Sequence, residues 1–335
     1  MTSVREQMEK REREYLSLYA AKSGDSRGRK RAEAPCDLRP VYQRDRDRVL
    51  HSKAFRRLKQ KTQVFLRPEG DHYRTRLTHT LEVSQNARTI GKALRLNEDL
   101  IEAIALGHDL GHTPFGHAGE RALNNVSEKG FVHSAQSVRV VEHLEKHGKG
   151  LNLTCEVLDG IREHSFAGHP GTLEGCVVRL SDKIAYTYHD FDDALRAGII
   201  CEKDVPAEIR KAIGETAAIR LDRMIHDVIT TSMNRPFIKM SDEVRAASLD
   251  LRKWMFESVY RNPEAKGEEK RAVELVENLY HYYMARPEDM SERFVRMIAD
   301  GESKDTVVCD YIAGMTDSYA VRKFTEYFIP KGWKE

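Results

Sequence analysis

The chain has 335 residues, of which 40% are hydrophobic and 32% are charged, and its formal net charge is +2. This balance is typical of a globular chain with one large domain or two ordinary ones, and it excludes disordered and fibrous proteins. Because no uncharged apolar run approaches the roughly 20 residues of a membrane helix, and the first residues lack the apolar stretch of a secretory signal, we expect a cytoplasmic protein without a membrane partner.

The beginning of the chain combines a charged helix with a strongly basic block. Residues 1–20 are predicted to form the helix, and the Gly, Ser and Pro content of 22–35 predicts a mobile linker, so we assign 1–36 to these two elements. Residues 22–61 contain fourteen Lys and Arg but five Asp and Glu, a local excess of nine positive charges. Such a block either binds a polyanion, such as single-stranded nucleic acid or nucleotide phosphates, or forms a solvated basic surface.

Apolar residues recur at helical spacing along nearly all of the remaining chain. A partial apolar stripe predicts a helix within 41–64, and a turn is expected at 67–71. Further helices are predicted at 78–96, 98–110, 117–127, 134–147, 153–164, 174–196, 206–232, 241–261, 268–285, 290–299 and 304–325. Because stretches with strand-like alternation are scarce, we predict an all-α fold.

Three of the fourteen histidines fall in one short string, GHDLGHTPFGH (107–117). His108 and Asp109 are adjacent, and neighbours on a helix diverge by about 100°, so both can reach one ion only where the helix ends. Gly111 is expected to end the helix, and Pro114 to prevent its resumption. A buried histidine and carboxylate are costly when unpaired, and ligation of a metal would satisfy both.

Two further polar residues share the phase of apolar helix faces. His79 lies where the stripe of 78–96 begins, and Asp182 follows the phase of Val178 and Ala185. Two imidazoles and two carboxylates suit Mn, Fe, Mg or similar ions with open positions for water, rather than structural zinc. The five cysteines contain no CxxC and indicate no thiolate site. Taken singly, His79 and Asp182 are also explained as hydrogen-bonded core residues.

Together these strings resemble the HD phosphohydrolase superfamily and, within it, the dGTPase-like dNTP triphosphohydrolases. The resemblance rests on HDLGHTPFGHAGE, preceded by RLTHTLEV and followed by FVHSAQS, and on DLRP (37–40), YQRDRDRVLHSKAFRRLKQKTQVF (42–65), DKIAYTYHD (182–190) and DYIAGMTD (310–317). It implies an all-α HD-domain helical bundle with extra N- and C-terminal helices. We therefore expect a metal-dependent phosphohydrolase core at 37–200 and a helical C-terminal extension at 201–335 that packs on the core.

The resemblance also implies roles for single residues. The metal ligands fall on His79, His108, Asp109 and Asp182. The expected ion is Mn²⁺ or Mg²⁺, with Fe, Co, Ni or Zn as alternatives. The catalytic residues are His117 as general acid, Glu120 as the carboxylate that orients it, and His112. Substrate contacts fall on Gln63, Arg76, His133, Lys183, Tyr186 and Asp190. Two other histidines, His164 and His189, are interpreted as capping or core residues.

The implied reaction is the hydrolysis of a deoxynucleoside triphosphate, either dGTP or several dNTPs, to the deoxynucleoside and inorganic tripolyphosphate. A homo-oligomer and an activating dNTP at a subunit interface are further expectations from the family. Two other functions stay open: an HD-type nucleoside monophosphate phosphohydrolase, and a sensor that binds dNTP or single-stranded nucleic acid with little turnover. A P-loop is excluded, because the sequence contains no GxxxxGK[ST] string.

Overall fold

The computed structural model describes residues 2–63, 74–165, 167–259 and 263–330, and these residues form sixteen α-helices and no β-strand. The predicted all-α fold is confirmed, whereas the turn expected at 67–71 lies outside the described residues. No described helix combines the length and the apolar surface that crossing a bilayer requires. The first nine helices are α1 (Val4–Tyr15), α2 (Val41–Leu50), α3 (Lys53–Arg57), α4 (Arg76–Ala93), α5 (Glu98–Gly107), α6 (Gly116–Val126), α7 (His133–Arg139), α8 (Cys155–Arg162) and α9 (Leu173–Arg196). The other seven are α10 (Ala207–Ile213), α11 (Ala217–Ser232), α12 (Asp242–Ser258), α13 (Pro263–Ala285), α14 (Glu292–Ala299), α15 (Lys304–Ala313) and α16 (Asp317–Phe328).

The N-terminal segment is tied to the helical bundle at several points. Glu12 of α1 accepts hydrogen bonds from the amide and the hydroxyl of Ser23. The buried guanidinium of Arg29 forms an ion pair with the fully buried Asp45 of α2. These contacts place the segment against the core, and the assignment of 1–36 as a separate unit stays a prediction.

Helix α4 lies in the larger of two buried apolar clusters and packs against α5 and α9. Its residues Val83, Ala87 and Ile90 recur at helical spacing and are fully buried, as the apolar stripe predicts. A glycine allows the close approach of α5, because a Cβ at Gly91 would lie 2.1 Å from Cδ1 of Ile101. This packing brings the first turn of α4, the end of α5 and the middle of α9 close together.

A second buried cluster joins α6 to the C-terminal helices α13, α15 and α16. Helix α13 contributes the fully buried side chains of Val276, Leu279 and Tyr283. Helices α10, α11 and α12 belong instead to the larger cluster. Each cluster therefore contains residues from both sides of the expected domain boundary at residue 200, and that boundary stays a prediction.

Several helices predicted as continuous are interrupted. The predicted helix 206–232 divides into α10 and α11 at Gly214. The φ of Gly214 is +123°, which glycine adopts readily and other residues adopt only with strain. The predicted helix 304–325 divides into α15 and α16 where the Thr316 side chain caps α16. Ser52 likewise caps α3, so the helix expected within 41–64 is also divided. Apolar periodicity continues across these breaks, which depend on single backbone and capping residues.

Ion pairs inside the fold neutralise part of the basic block at 22–61. Arg46 contacts Asp99 at 2.7 Å, and Arg27 contacts the buried Glu156 at 3.3 Å. Because these partners come from other parts of the chain, the block presents a weaker positive field to a polyanion than its composition suggests. Binding of single-stranded nucleic acid by this block stays a prediction.

Candidate metal centre

Three helices bring two imidazoles and two carboxylates to one place. His79 stands on the first turn of α4, and Asp182 lies in the middle of α9. His108 and Asp109 follow the last residue of α5, where the backbone leaves the helix. This exit is held from α7, because the Ser137 hydroxyl donates to the His108 carbonyl at 2.7 Å.

Gly111 has a role other than the one expected for it. The preceding helix ends at Gly107, four residues earlier than Gly111. A Cβ at Gly111 would lie 2.2 Å from the backbone nitrogen of Ser137. Gly111 therefore permits the close approach of α7, and the prediction that it ends α5 is wrong.

The donor atoms of this cluster are spaced as ligands around one ion would be. One ligand atom from each of His79, His108 and Asp109 lies within 4.8 Å of the other two. Asp182 Oδ1 is 3.2 Å from His79 Nε2 and 3.7 Å from His108 Nε2. Neighbouring ligands on bonds of about 2.0–2.2 Å are about 3–3.5 Å apart, so an ion requires little rearrangement of these side chains.

The hydrogen bond of His108 leaves one of its ring nitrogens for an ion. Nδ1 donates to the Ala105 carbonyl at 2.7 Å, which puts the lone pair of the neutral ring on Nε2. That Nε2 is buried and has no hydrogen-bond partner among the described residues. An unsatisfied buried acceptor is costly, and a divalent cation would satisfy it, so the residues present fit a metal.

Arg76 places a buried positive charge beside the carboxylate of Asp109. Its Nη1 donates to Asp109 Oδ2 at 2.7 Å, whereas Nε and Nη2 are buried without a partner in the part of the chain that the structure describes. Although burial favours the neutral acid, His108 and Arg76 hold the pKa of Asp109 well below its usual range. Gly116 makes room for the guanidinium, because a Cβ there would lie 2.9 Å from Arg76 Nη2. Two guanidinium nitrogens are thus available for an anionic oxygen.

The loop between α5 and α6 is anchored by residues distant in sequence. Phe115 adopts the left-handed region with a φ of 62°, and its amide donates to Asp317 Oδ1 at 3.0 Å. The buried ammonium of Lys61 donates to the carbonyls of His112 and Ala313. Burial, together with nearby arginines, lowers the pKa of Lys61 well below its usual range. The C-terminal helices therefore hold the loop that carries the first and second histidines of GHDLGHTPFGH and leads into the helix that carries the third.

His112, His117 and His133 surround the carboxylate of Glu120. The rings of His112 and His133 stack with their centroids 4.0 Å apart. Glu120 Oε1 lies 2.7 Å from His133 Nδ1, and Oε2 lies 3.1 Å from His117 Nδ1. Burial opposes ionisation of Glu120, but its hydrogen bonds to His117 and His133 lower its pKa below the usual range. Burial also opposes the charged form of His133, and the bond to Glu120 outweighs it and raises the pKa of that ring. The expected contact between His117 and Glu120 is present, and Glu120 is shared with His133.

The remaining expected substrate residues lie on α9 and before α4. Lys183 and Tyr186 are half-buried, and the buried Asp190 lies two turns beyond Asp182. Burial and the nearby Arg179 lower the pKa of Lys183 to about 8. The side-chain oxygen of Gln63 is buried, and no described residue hydrogen-bonds to it. The roles of these residues in binding a substrate stay predictions.

Comparison with known proteins identifies the family. A family model described as "HD domain" matches residues 76–187, and one described as "Phosphohydrolase-associated domain" matches residues 238–326. A deoxyguanosinetriphosphate triphosphohydrolase-like protein of Caldanaerobacter subterraneus subsp. tengcongensis is 56% identical over 332 residues, which cover 99% of this chain and 98% of that protein. The chain belongs to the HD-domain dGTPase-like family. Members with the same name from Desulfatibacillum aliphaticivorans and Clostridium perfringens are each 48% identical over 98% of this chain, and over 99% and 98% of their own lengths.

Membership of the dGTPase-like family supports a phosphohydrolase activity. HD domains bind divalent metal ions, and the cluster of His79, His108 and Asp109 could hold one. The matched HD region also contains Asp182 on α9.

A solved structure of a hypothetical protein from Aquifex aeolicus is similar over 83% of this chain and 67% of that chain, with 18% identity and a TM-score of 0.49.

Two histidines interpreted from the sequence as capping or core residues lie beside the candidate metal centre. His164 Nε2 is 3.2 Å from His133 Nε2, and His189 Nδ1 is 3.1 Å from His79 Nδ1. The place of His189 near the candidate metal centre could have been inferred from the sequence, because His189 lies seven residues after Asp182 and therefore shares its helix face. His164 lies beyond the end of α8, where helical periodicity gives no indication.

Proposed function

We propose that the protein is a divalent-metal-dependent dNTP triphosphohydrolase, which converts dGTP or several dNTPs to the deoxynucleoside and inorganic tripolyphosphate. The observation that carries the proposal is the convergence of His79, His108, Asp109 and Asp182 beside the guanidinium of Arg76. A metal-binding set next to a buried cation suits an anionic phosphate ester. The names of the relatives support a deoxynucleoside triphosphate as substrate.

The four side chains of the cluster would hold the ion. Two carboxylates among the four donors favour Mn²⁺ or Mg²⁺, and the two imidazoles also suit Fe, Co, Ni or Zn. When bound, the ion supplies positive charge opposite the phosphate oxygens and makes a water molecule more acidic. Nε2 of His108 already presents its lone pair to this place, because Nδ1 is held by the Ala105 carbonyl.

Arg76 and Lys183 are proposed to hold the triphosphate. Asp109 fixes the Arg76 guanidinium through Nη1, which leaves Nε and Nη2 as donors to phosphate oxygens. Lys183 follows Asp182 on α9 and contributes a second cation. Donors on two packed helices restrict the position of the α-phosphorus and so reduce the entropy lost on reaching the transition state. His112 and His133 are proposed to lie near the same phosphates.

Cleavage of the ester bond requires a proton for the departing oxygen. The water oxygen bonds to the α-phosphorus and releases one proton to solvent, the bond between phosphorus and O5′ breaks, and its electron pair passes to O5′. His117 donates a proton to O5′, so the products are a deoxynucleoside with a free 5′-hydroxyl and tripolyphosphate. Glu120 accepts from His117 Nδ1 at 3.1 Å and thereby directs Nε2 toward the substrate.

Gln63, Tyr186 and Asp190 are proposed to hold the deoxyribose. Tyr186 lies one turn beyond Asp182 on α9, so its ring can pack against the 2′ carbon and leave no room for a hydroxyl. The buried side-chain oxygen of Gln63 offers an acceptor for a sugar hydroxyl. Base preference depends on contacts outside this set.

Product analysis tests the proposal. The purified protein is incubated with each of the four dNTPs, singly and mixed, with Mg²⁺ or Mn²⁺, and the products are separated by anion-exchange chromatography. Tripolyphosphate and deoxynucleoside are expected, and in H₂¹⁸O the label enters tripolyphosphate, because water attacks phosphorus. A parallel incubation with deoxynucleoside monophosphates tests the alternative, because orthophosphate released from them, without products from the dNTPs, would indicate the monophosphatase. Tight dNTP binding without products would indicate a sensor.

Paired variants separate loss of the site from general damage. Asp109→Ala removes a ligand and is expected to abolish both turnover and Mn²⁺ binding. Asp250→Ala removes an exposed carboxylate of α12 and is expected to leave both unchanged. Turnover that survives in Asp109→Ala would contradict the assigned site. Homo-oligomerisation and activation by a second dNTP stay predictions, and the mixed-dNTP incubation tests the activation.

A further inference from the structure

A chain of hydrogen bonds extends from His79 away from the proposed metal position. Its Nδ1 lies 3.1 Å from Nδ1 of His189 on α9. On the other side of that ring, His189 Nε2 lies 2.8 Å from Glu82 Oε2. Arg74 in turn contacts Glu82 at 3.1 Å and Asp192 at 2.8 Å, which fixes the carboxylate at the far end of the chain.

The carboxylate decides the direction of these hydrogen bonds. An ionised carboxylate only accepts, so His189 must carry its proton on Nε2 and donate to Glu82. The Nδ1 of neutral His189 is then an acceptor, and His79 must donate to it from Nδ1. The lone pair of His79 is thereby placed on Nε2, which lies 3.2 Å from Asp182 Oδ1 and 4.0 Å from Asp109 Oδ2.

The opposite arrangement leaves an uncompensated repulsion. If His79 carried its proton on Nε2, its Nδ1 would accept from His189 Nδ1. The lone pair of His189 Nε2 would then face the carboxylate of Glu82 at 2.8 Å. Two acceptors at this distance repel. In the first arrangement the lone pair of His79 Nε2 faces Asp182 Oδ1 at 3.2 Å, and a bound cation would offset that repulsion, so the contact with Glu82 selects the first arrangement in the metal-bound site.

We propose that His189 and Glu82 are positioning residues that hold His79 in the tautomer and orientation needed to bind a metal through Nε2. The inference rests on the metal site proposed above and adds two residues to it. The other imidazole of the site is fixed differently, because His108 Nδ1 donates to the backbone carbonyl of Ala105 in the preceding helix α5. Partners that orient a ligating histidine in this way raise its metal affinity.

The packing of α4 against α9 makes this arrangement possible. Glu82 and His79 lie three residues apart on α4 and therefore share a face. His189 lies seven residues after Asp182 on α9, so one face of α9 carries both a proposed ligand and the partner of another. His189 is buried, whereas the Glu82 side chain is 39% exposed. Substitutions of Glu82 therefore perturb the core less than substitutions of His189.

Mn²⁺ binding to the purified protein, followed by the electron paramagnetic resonance signal of free Mn²⁺, tests the inference without relying on turnover. In His189→Asn, the amide oxygen takes the place of Nδ1 and can accept from His79. In His189→Leu, a side chain of the same shape offers no acceptor. We expect His189→Leu to raise the Kd for Mn²⁺ by about 10- to 100-fold, and His189→Asn to recover most of that loss.

A second pair keeps the test valid if His189→Leu does not fold. Glu82→Ala is expected to weaken Mn²⁺ binding, whereas Glu82→Gln retains an acceptor for His189 and weakens it less. Gln85→Ala, an exposed residue of the same helix, serves as the control with unchanged affinity. Wild-type affinity in both His189→Leu and Glu82→Ala, while Asp109→Ala loses the ion, would overturn the role of His189 and Glu82 and leave the proposed function intact. Unchanged Mn²⁺ binding in Asp109→Ala would instead overturn the metal site itself.

Discussion

Replacing Asp317 by alanine is expected to destabilise the fold and to release the loop between α5 and α6. The buried carboxylate lies at the start of α16 and accepts from backbone amides on two distant segments. Oδ2 accepts from the Thr62 amide at 2.8 Å and from the Thr62 hydroxyl, and Oδ1 accepts from the Phe115 amide at 3.0 Å. In Asp317→Ala these donors lose their acceptor.

The expected magnitude follows from those donors. A buried donor left without a partner costs about 1–3 kcal/mol, so the two amides together cost about 2–6 kcal/mol. Thr62 is half-buried and can recover a bond to water, which places the expected loss near the lower end, at about 3 kcal/mol. Phe115, held at a φ of 62°, would also relax toward the ordinary helical region. A shift of about 1 Å in the adjoining histidines can lower kcat by about 10²-fold.

Urea unfolding and the rate of tripolyphosphate release measure the two effects. Asp317→Ala is expected to unfold at a lower urea concentration, with an unchanged slope of the free energy of unfolding against urea. Its kcat is expected to fall by a larger factor than its KM rises. Asp317→Asn keeps one acceptor oxygen and should fall between the variant and the wild type. Asp300→Ala, an exposed residue after α14, is the control with wild-type behaviour. A wild-type urea midpoint together with a wild-type kcat in Asp317→Ala would refute the anchoring role.

Three other outcomes are expected. Gly116→Ala should raise the KM for dNTP by about tenfold or more, because its Cβ would lie 2.9 Å from Arg76 Nη2. Gly198→Ala is the kinetic control, since it has a positive φ of +69° but open space among its described neighbours, and equal KM values would contradict the steric argument. His117→Ala should lower kcat by about 10²–10⁴ without changing Mn²⁺ affinity, and a wild-type kcat would exclude His117 as the proton donor. Burial raises the pKa of Glu174 from 4.5 to about 7, so the folded protein retains a proton there that the unfolded chain releases. Stability should therefore fall by up to about 3 kcal/mol as pH rises from 4.5 to 7, and in Glu174→Gln this decrease should be absent; parallel stability curves from urea unfolding would contradict it.

Helices with an unbroken apolar stripe are predictable from the sequence within a few residues. The helix expected at 174–196 is observed as Leu173–Arg196, and the one expected at 78–96 as Arg76–Ala93. Their periodicity is local, because every third or fourth side chain faces the same core. The breaks at Gly214 and Thr316 are not predictable in this way, since each depends on one residue whose neighbours continue the apolar pattern.

The proposed metal ligands also follow from local spacing. His108 and Asp109 are adjacent at a helix end, and His79 and Asp182 continue the buried phases of their helices. Whether these side chains meet depends on how α4, α5 and α9 pack, and the structure brings Asp182 Oδ1 to 3.2 Å from His79 Nε2 and 3.7 Å from His108 Nε2. The helical phase of a residue identifies the face of the helix on which it lies, but not which residue of another helix packs opposite that face.

Residue spacing in the sequence is therefore enough to predict the all-helical fold class and the positions of most helices, and to find the HD string and the motifs near it. The pairing of His189 with His79, the sharing of Glu120 by two histidines and the neutralisation of the basic block are visible only in the folded chain. These contacts join residues 13 to 129 positions apart in sequence, apart from the pair three residues apart in α6. Contacts at such separations depend on how helices pack against one another, and the periodicity of a single helix carries no information about its partner.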